Sequence, residues 1–422
     1  MIGHVVFLPR SGADPSLPRR PPGRDGRWQT DVLLVLVQHQ ETLVSSASAP
    51  ASRRGPTPPR HQQRRLALTR AASTFGGALA QELMAAGVQV VGLDARAGRV
   101  EGVDWRPGDV AAPSVVAALD DVDVLVHLAF DPDLIRVLEV QPAVRRARQI
   151  DEIRTLVTAA AAAGVGHLIV VTSTMVFGAR PDNPVPLPED HPGRAAETEG
   201  LVADLVAVEQ ELRGLAAAHP GLRTTVVRPA ALVGPGVDTM ITRHFEAPRL
   251  LRLRGTEPLW SFCHVADLGT ALLVVAEGDS EVPDQVSVAA GGALTQAQVE
   301  ELSGIRGIDV AEGTAYAAAD RLHRLGVVPV PATDLAYVAH SWISWPGWLT
   351  QVGWSPRYDN AACLAVLLEE VRGNRAVMAR RVGARDAVGA AAAGAASATV
   401  AAIATAALLR RRRGRGPTGQ SR

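Results

Sequence analysis

The sequence predicts an α/β fold built on a doubly wound parallel sheet. Three observations predict it: continuous apolar runs of strand length, their alternation with helical stretches from residue 65 onward, and a glycine-containing loop after the first run. The runs are apolar throughout rather than at every second residue: RLALT, QVVGLD, DVLVHLA, HLIVVTST and RTTVVRPAALVG. Strands with that pattern are buried on both faces, as they are in a parallel sheet.

Composition narrows the class of protein. Of the 422 residues, 47% are hydrophobic and the formal net charge is zero, which argues against a general nucleic-acid binder. Cys263 and Cys363 form neither a disulfide framework nor a metal-ligand spacing, so we expect two core thiols, no metal site and a reducing cytoplasm. All 43 basic residues are arginine, and the chain contains no lysine.

The two ends of the chain differ from its centre. Residues 1–62 are rich in proline, arginine and serine and are predicted to be disordered. Residues 387–409 carry no charge, and a helix of that length would reach ~34 Å, enough to cross a bilayer. Arginines 410–413 follow, so 387–413 predicts either a membrane anchor or an Ala-rich helix with a basic tail that at most touches acidic lipid.

The stretch LALTRAASTFGGALAQELMAAGVQVVGLD (66–94) has the order strand, loop, helix, strand. We expect the helix to begin near Phe75 and Gly76, with its N-terminal N–H groups facing an anion such as a pyrophosphate. Asp94 ends the second strand, where an acidic residue commonly contacts ribose hydroxyls. Alternatively, Asp94 is only a turn residue that follows the strand.

This stretch resembles the extended short-chain dehydrogenases/reductases, the NAD-dependent epimerase/dehydratase family. The family's loop reads TGAxGFxG and aligns with residues 69–76, so that Arg70 and Ser73 stand at two glycine positions. That replacement predicts weakened or altered phosphate binding, unless Arg70 itself clamps a phosphate. Five further motifs follow in the family's order: GDV (108–110), VHLA (126–129), RPAALVGPG (228–236), FCHVADLGTAL (262–272) and VGWSPRYDNAACL (352–364).

The resemblance implies a Rossmann-like NAD(P)-binding domain over 63–235, a smaller C-terminal α+β substrate domain over 236–372, and a separate tail over 373–422. Arg243 and His244 lie where family members line a nucleotide-sugar pocket. Asp94 favours NAD, whereas Arg96 can accept the additional phosphate of NADP, so the choice stays open. The residues expected to contact the cofactor are Thr69, Arg70, Ser73, Phe75, Gly76, Asp94, Asp109, Val110, Leu128, Ala129 and Arg228.

Family enzymes use a tyrosine with a lysine four positions later on one helix face, because the ammonium lowers the phenol pKa. The matching stretch, LVADLVAVE (201–209), has Leu201 and Leu205 at those positions. Ser173 matches the family's serine, and Gln149 stands at the supporting asparagine. Asp204 and His264 are titratable substitutes, although a solvated helix residue and a packing histidine are the simpler interpretations of them.

Three functions follow. The first is a protein that binds NAD(P) or a nucleotide sugar without the tyrosine–lysine chemistry, acting as a sensor or partner subunit. The second is an active nucleotide-sugar epimerase, dehydratase or reductase with a relocated acid/base. The third is a membrane-tethered structural or partner protein with an empty pocket. Helix 201–212 has the apolar spacing of a homodimer face, which burial within one protomer explains equally well.

Overall fold

The computed structural model describes residues 64–193, 200–278, 281–325 and 331–381. The predicted disordered segment 1–62 and the candidate membrane segment 387–409 lie outside these residues. Across these four ranges, no helix combines the length and the apolar character that crossing a bilayer requires.

Seven of the described strands form one sheet, in the spatial order β11-β6-β5-β4-β1-β2-β3, and every neighbouring pair is parallel. The strands at its centre, β1, β4 and β5, are almost entirely buried. This confirms the predicted doubly wound parallel sheet. The strands are β1 (Arg65–Thr69), β2 (Gln89–Asp94), β3 (Asp104–Pro107), β4 (Val124–Leu128), β5 (His167–Val171), β6 (Arg223–Pro229), β7 (Ala231–Val233), β8 (Leu250–Leu253), β9 (Leu259–Trp260), β10 (Phe262–His264), β11 (Gln285–Val288), β12 (Leu294–Thr295) and β13 (Gly307–Val310).

Helices cover both faces of this sheet. Apolar residues of α1 and α7 form one core with strands of the large sheet, and residues of α2, α4 and α5 form a second core with them. The helices are α1 (Thr74–Ala85), α2 (Val115–Ala118), α3 (Leu134–Leu138), α4 (Pro142–Ala163), α5 (Leu201–Ala218), α6 (Met240–Glu246), α7 (Val265–Glu277), α8 (Gln296–Ser303), α9 (Glu312–Arg324), α10 (Ala336–Ala339), α11 (Gly347–Gln351) and α12 (Asn360–Arg381).

The C-terminal part forms a smaller α+β layer. Its described strands pair as β7 with β10, β8 with β13 and β9 with β12. A third core joins all of these strands except β13 to α6, α8 and α12. The chain does not stay in this layer after residue 235, because α7 and β11 return to the large sheet. Segments of the large sheet and of the smaller layer thus alternate along the chain after residue 235. The predicted domain boundary at 235 stays a prediction.

Local features that the sequence predicted occur where it placed them. The TQAQ stretch at 295–298 has the spacing of a capping box, and the structure contains one: Thr295 caps α8, and its side chain and that of Gln298 bond reciprocally to each other's backbone. Cys263 and Cys363 are both buried in cores. The helix after the first loop begins at Thr74, one residue before the expected start.

Candidate active site

Most of the residues predicted to contact the cofactor lie at or just beyond the carboxyl ends of the parallel strands β1 to β4. The chain runs from β1 to β2 on one side and later to β4 on the other, so β1 and β4 flank a topological switch point. Ligands of open α/β sheets bind in the crevice outside such a point. The loops after β1 and β4 border this crevice and carry Arg70 and Ala129, and Asp94 is the last residue of β2.

The loop after β1 satisfies its own backbone. Ser73 is the N-cap of α1; its Oγ accepts from the Gly76 N–H at 2.9 Å and donates to the Arg70 carbonyl at 2.8 Å. The Ala72 N–H donates to Asp94 at 3.1 Å, and the Ser73 N–H donates to Arg70 O at 3.1 Å. Backbone N–H groups at a helix N-terminus commonly donate to a phosphate. In this structure, these N–H groups donate to oxygen atoms of the protein instead.

Gly76 is required by close packing. A Cβ placed on this glycine would lie 2.2 Å from the Arg70 carbonyl oxygen, which no side chain tolerates. Arg70 itself has a φ of 56°, the left-handed conformation that glycine adopts at low cost. The tight turn of the family motif is therefore present, with Arg70 in the backbone conformation that a glycine usually adopts there.

The Arg70 side chain crosses the switch point. Its Nε donates to the Leu128 carbonyl at the end of β4 at 2.9 Å, and its Nη2 donates to Glu152 of α4 at 2.6 Å. The Glu152 side chain is only 1% exposed, so this ion pair is largely removed from solvent. The Arg70 guanidinium is therefore held at the end of β4 and against α4.

The other expected cofactor contacts line the same edge. Asp94 accepts from the Ala72 and Ala95 N–H groups and is half-buried. Asp109 lies 3.8 Å from Arg148 on α4. Among the remaining predicted residues, the structure buries Thr69, Phe75, Val110, Leu128 and Ala129.

Arg228 lies in a buried packing network. Its guanidinium donates to both carboxylate oxygens of Glu209 on α5, at 3.1 and 2.6 Å, and to Gln285 on β11 at 2.6 Å. It also lies over the Phe177 ring, with 4.9 Å between Cζ and the centroid. These contacts fasten α5 to the sheet and engage the guanidinium that was expected to contact the cofactor.

A second loop packs against the start of α1. A Cβ on Gly236, whose φ is 74°, would lie 2.5 Å from Thr74 Cβ and 2.7 Å from the Phe75 nitrogen. The next turn is hydrogen bonded to the segment after β4, because the Asp238 N–H donates to Pro132 O at 2.7 Å and the Leu134 N–H donates to Asp238 O at 3.0 Å. The loops that follow β4 and β7 therefore meet beside the helix N-terminus.

Helix α5 carries leucines where the family's acid/base couple is expected. Leu201 begins the helix and is half-buried, and Leu205 is buried among apolar residues of α4 and β5. Ser173 caps a short turn, and its Oγ accepts from the Met175 N–H at 3.2 Å. The leucines offer no proton to a reacting group beside Ser173.

The simpler interpretation of Asp204 as a solvated helix residue is wrong. Its carboxylate is 1% exposed and accepts from Arg145 Nε at 2.6 Å and from Arg146 Nε at 2.8 Å, both on α4. The packing interpretation of His264 agrees with the structure, since this residue caps α7 and stacks on Tyr358 with ring centroids 3.8 Å apart.

Comparison with known proteins identifies the family. A family model described as "NAD dependent epimerase/dehydratase family" matches residues 69–289, just over half of the chain. The chain belongs to this family. An uncharacterized protein of Mycobacterium tuberculosis is 27% identical over 111 residues, which cover 26% of this chain and 30% of that protein. The uncharacterized protein y4nG of Sinorhizobium fredii is 25% identical over 244 residues, which cover 54% of this chain and 59% of that protein.

Solved structures of the epimerase/dehydratase type share the fold. MoeE5 in complex with UDP-glucuronic acid and NAD superposes with a TM-score of 0.56 at 22% identity, covering 74% of this chain and 99% of that one. TunA, a NAD-dependent NDP-hexosamine 5,6-dehydratase involved in tunicamycin biosynthesis, gives a TM-score of 0.55 at 21% identity, covering 74% and 98%. At these identities the likeness shows the fold alone.

The sequence did not predict that a tyrosine lies near the family serine. Tyr337, from the C-terminal part, donates from its hydroxyl to the Met175 carbonyl at 2.9 Å, two residues after Ser173. Its ring is 1% exposed. No local pattern reveals this neighbour, because 162 residues separate it from Met175.

The structure places Arg243 and His244 in packing contacts. Arg243 forms a two-point ion pair with Asp238, both bonds at 2.6 Å, and contacts Glu246. His244 is 3% exposed and stacks on Trp260 with ring centroids 5.6 Å apart. Burial lowers the pKa of His244 to about 4, so its imidazole is neutral at physiological pH. Their predicted role in a substrate pocket stays a prediction.

Proposed function

We propose that this member of the epimerase/dehydratase family binds NAD(P) or a nucleotide sugar without tyrosine–lysine hydride chemistry and serves as a sensor or partner subunit. The observation that carries the proposal is the replacement of both proton-transferring positions by Leu201 and Leu205, in a chain that contains no lysine at all. A missing general acid/base commonly costs about 10²–10⁴ in rate, and here its cationic partner is missing as well.

The nearby titratable group supports this proposal. Asp204 lies on the same helix, but its two carboxylate oxygens accept from two arginines and are buried. Both oxygens are already engaged by Arg145 and Arg146, so neither faces a reacting group beside Ser173. Ser173 can share a hydrogen bond with a reacting oxygen, but an ordinary hydroxyl is not a general base.

Ligand binding is supported by the family and by the retained loop geometry. The family is described as NAD dependent, and the neighbour MoeE5 was solved with NAD and UDP-glucuronic acid. Gly76 lets the start of α1 pack closely against the Arg70 carbonyl, and Asp94 places an acidic group at the end of β2. Binding requires the Arg70 guanidinium to leave the crevice, which reduces the apparent affinity by the fraction of molecules in that state.

A second candidate is an active nucleotide-sugar enzyme with a relocated acid/base. The Tyr337 hydroxyl, bonded to the backbone two residues beyond Ser173, is the observation in its favour. That hydroxyl already donates to a carbonyl and its ring is buried, so a conformational change would have to expose it.

The test is ligand binding together with turnover by the full chain. We expect NAD, NADP or UDP-glucose to raise the melting temperature, while no reduced cofactor and no epimerised sugar accumulates. Tyr316, on α9, supplies the control tyrosine. Turnover that Tyr337→Phe abolishes and Tyr316→Phe leaves intact would establish the second candidate. No stabilisation by any of these ligands at millimolar concentration would contradict the proposal and favour a structural role with an empty pocket.

A further inference from the structure

The N-terminal half of α4, residues 142–152, is bonded to both loops that border the crevice. Glu152 accepts from Arg70 Nη2 at 2.6 Å, and Gln149 Nε2 donates to the Ala129 carbonyl at 3.1 Å. The loop after β1 and the loop after β4 therefore contact one stretch of a single helix. A movement of either loop acts directly on this part of α4.

The same stretch of α4 also holds α5. Arg145 and Arg146 donate to the two carboxylate oxygens of Asp204, at 2.6 and 2.8 Å. Asp204 lies in the first turn of α5, and its side chain is 1% exposed. Arg145 and Glu152 are about two helical turns apart, so they lie along the same side of α4. Two turns of one helix thus join the crevice to the start of α5.

This part of α4 has little stability of its own. The helix begins at Pro142, and Gln141 before it makes no side-chain capping bond. Its first turn contains no acidic residue, and Arg145, Arg146 and Arg148 follow within the first two turns. Positive charge near a helix N-terminus opposes the helix dipole. The bonds to Glu152 and to α5 therefore contribute much of what keeps this stretch in place.

Glu152 has two arginine partners, and they differ in their exposure to water. The Arg70 side chain is 22% exposed, whereas the Arg148 side chain, bonded at 3.1 Å, is 63% exposed. An ion pair that water screens stabilises a fold only slightly. A buried carboxylate that loses a partner is destabilising, because its charge is left uncompensated. Among its described contacts, Arg70 is therefore the stronger support of the buried Glu152.

We propose that Arg70 couples ligand binding in the crevice to the contact between α4 and α5. When a ligand displaces the guanidinium from Glu152, the N-terminal half of α4 loosens and releases Asp204. This coupling rests on the proposed function, in which Arg70 leaves the crevice before a ligand enters. A ligand that binds only that state shifts the population toward it, and the start of α5 changes with it. A sensor needs such a difference between its free and bound forms.

Hydrogen exchange of the full chain, followed by mass spectrometry without any ligand, tests the coupling. Arg70→Gln removes the guanidinium and keeps a non-glycine residue at the same backbone position. Because backbone exchange reports local opening, residues 142–152 and 204–209 should exchange about tenfold faster than in the parent. Helix α7, on the other face of the sheet, should exchange at the parental rate. Millimolar NAD added to the parent should produce the same pattern.

Two further variants make the test specific. Arg154→Gln is the matched control, because it breaks an exposed α4–α5 pair with Glu211 and does not touch Glu152. It should leave exchange in residues 142–152 unchanged. Arg148→Gln is a milder change that removes the exposed partner of Glu152, and it should speed exchange of the same stretch about two- to threefold.

The coupling is disproved if residues 204–209 exchange at the parental rate in both Arg70→Gln and Arg148→Gln. It is also disproved if Arg154→Gln has the same effect, or if exchange rises equally in α7. Failure of NAD and UDP-glucose to bind would contradict the proposed function. The exchange of ligand-free Arg70→Gln would still report the coupling in that case, so the two failures are distinguishable.

Discussion

At the scale of single residues, Arg70 combines an unfavourable backbone with favourable side-chain contacts. A non-glycine residue in the left-handed region costs of order 1–2 kcal/mol. Arg70 accepts that cost at a φ of 56° and gains an ion pair with the buried Glu152 and a bond to the Leu128 carbonyl. In the proposed function the same guanidinium leaves the crevice before a dinucleotide enters, so stability and ligand binding compete for one side chain.

We predict that Arg70→Gly strengthens NAD binding by about tenfold, since it removes a charge-assisted brace from the crevice. Arg70→Ala is the matched control: it also removes the guanidinium but keeps a Cβ at positive φ. Both variants should gain affinity in titration calorimetry, and the alanine variant should be less stable than the glycine variant by about 1 kcal/mol. Weaker NAD binding in both variants would show that Arg70 clamps the phosphates instead.

At the scale of elements, the first turn of α5 holds this helix against α4. Asp204 lies in its first turn, where a negative charge also favours the helix dipole, and holds Arg145 and Arg146 of α4. In the conventional site this turn presents a tyrosine and a lysine to the cofactor. Here Leu205 and Asp204 bind the helix to its neighbour.

Asp204→Asn should lower the free energy of unfolding by about 3 kcal/mol, because it leaves Arg145 buried without its charge partner. Glu211→Gln is the control, since it breaks an α4–α5 pair whose arginine is 55% exposed and should cost less than about 1 kcal/mol. Urea denaturation of the two variants measures both values. Similar small losses would mean that Asp204 does not anchor the helices.

The strands and helices were predictable because their signals are local. Apolar runs, a capping box and a glycine loop occupy neighbouring residues, so the sheet, Thr295 and the start of α1 could be inferred from the sequence. The side-chain contacts within the candidate site were not predictable in the same way. The contacts of Arg70 with Glu152 and of Tyr337 with Met175 join residues 82 and 162 positions apart, which no sequence period encodes.

At the scale of the whole molecule, three buried histidines link stability to pH. Burial lowers the pKa of His127 and of His167 to about 3, helped by Arg70 at the first and by Arg223 and Arg64 at the second. Burial alone lowers the pKa of His244 to about 4. Each imidazole is neutral in the folded protein and takes up a proton near its ordinary pKa of 6.5 once the chain unfolds.

The sign of the pH dependence follows from proton counts. Below pH 6.5 the unfolded chain binds more protons at these sites than the folded chain, so stability rises with pH through this window. The stabilisation is complete above pH 6.5 and is lost as the pH falls towards the folded values, at about 4 for His244. We therefore predict a melting temperature that declines steadily on acidification from neutrality.

His244→Phe tests the contribution of one site, because phenylalanine can keep the stack on Trp260 and removes two buried nitrogens that have no hydrogen-bond partner among the described residues. The variant should be more stable than the parent at acid pH, by on the order of 3 kcal/mol near pH 4, with a smaller gain at neutrality. A His244→Phe profile parallel to that of the parent would mean that His244 binds protons equally in the folded and unfolded chains, and the pH dependence would then belong to His127 and His167.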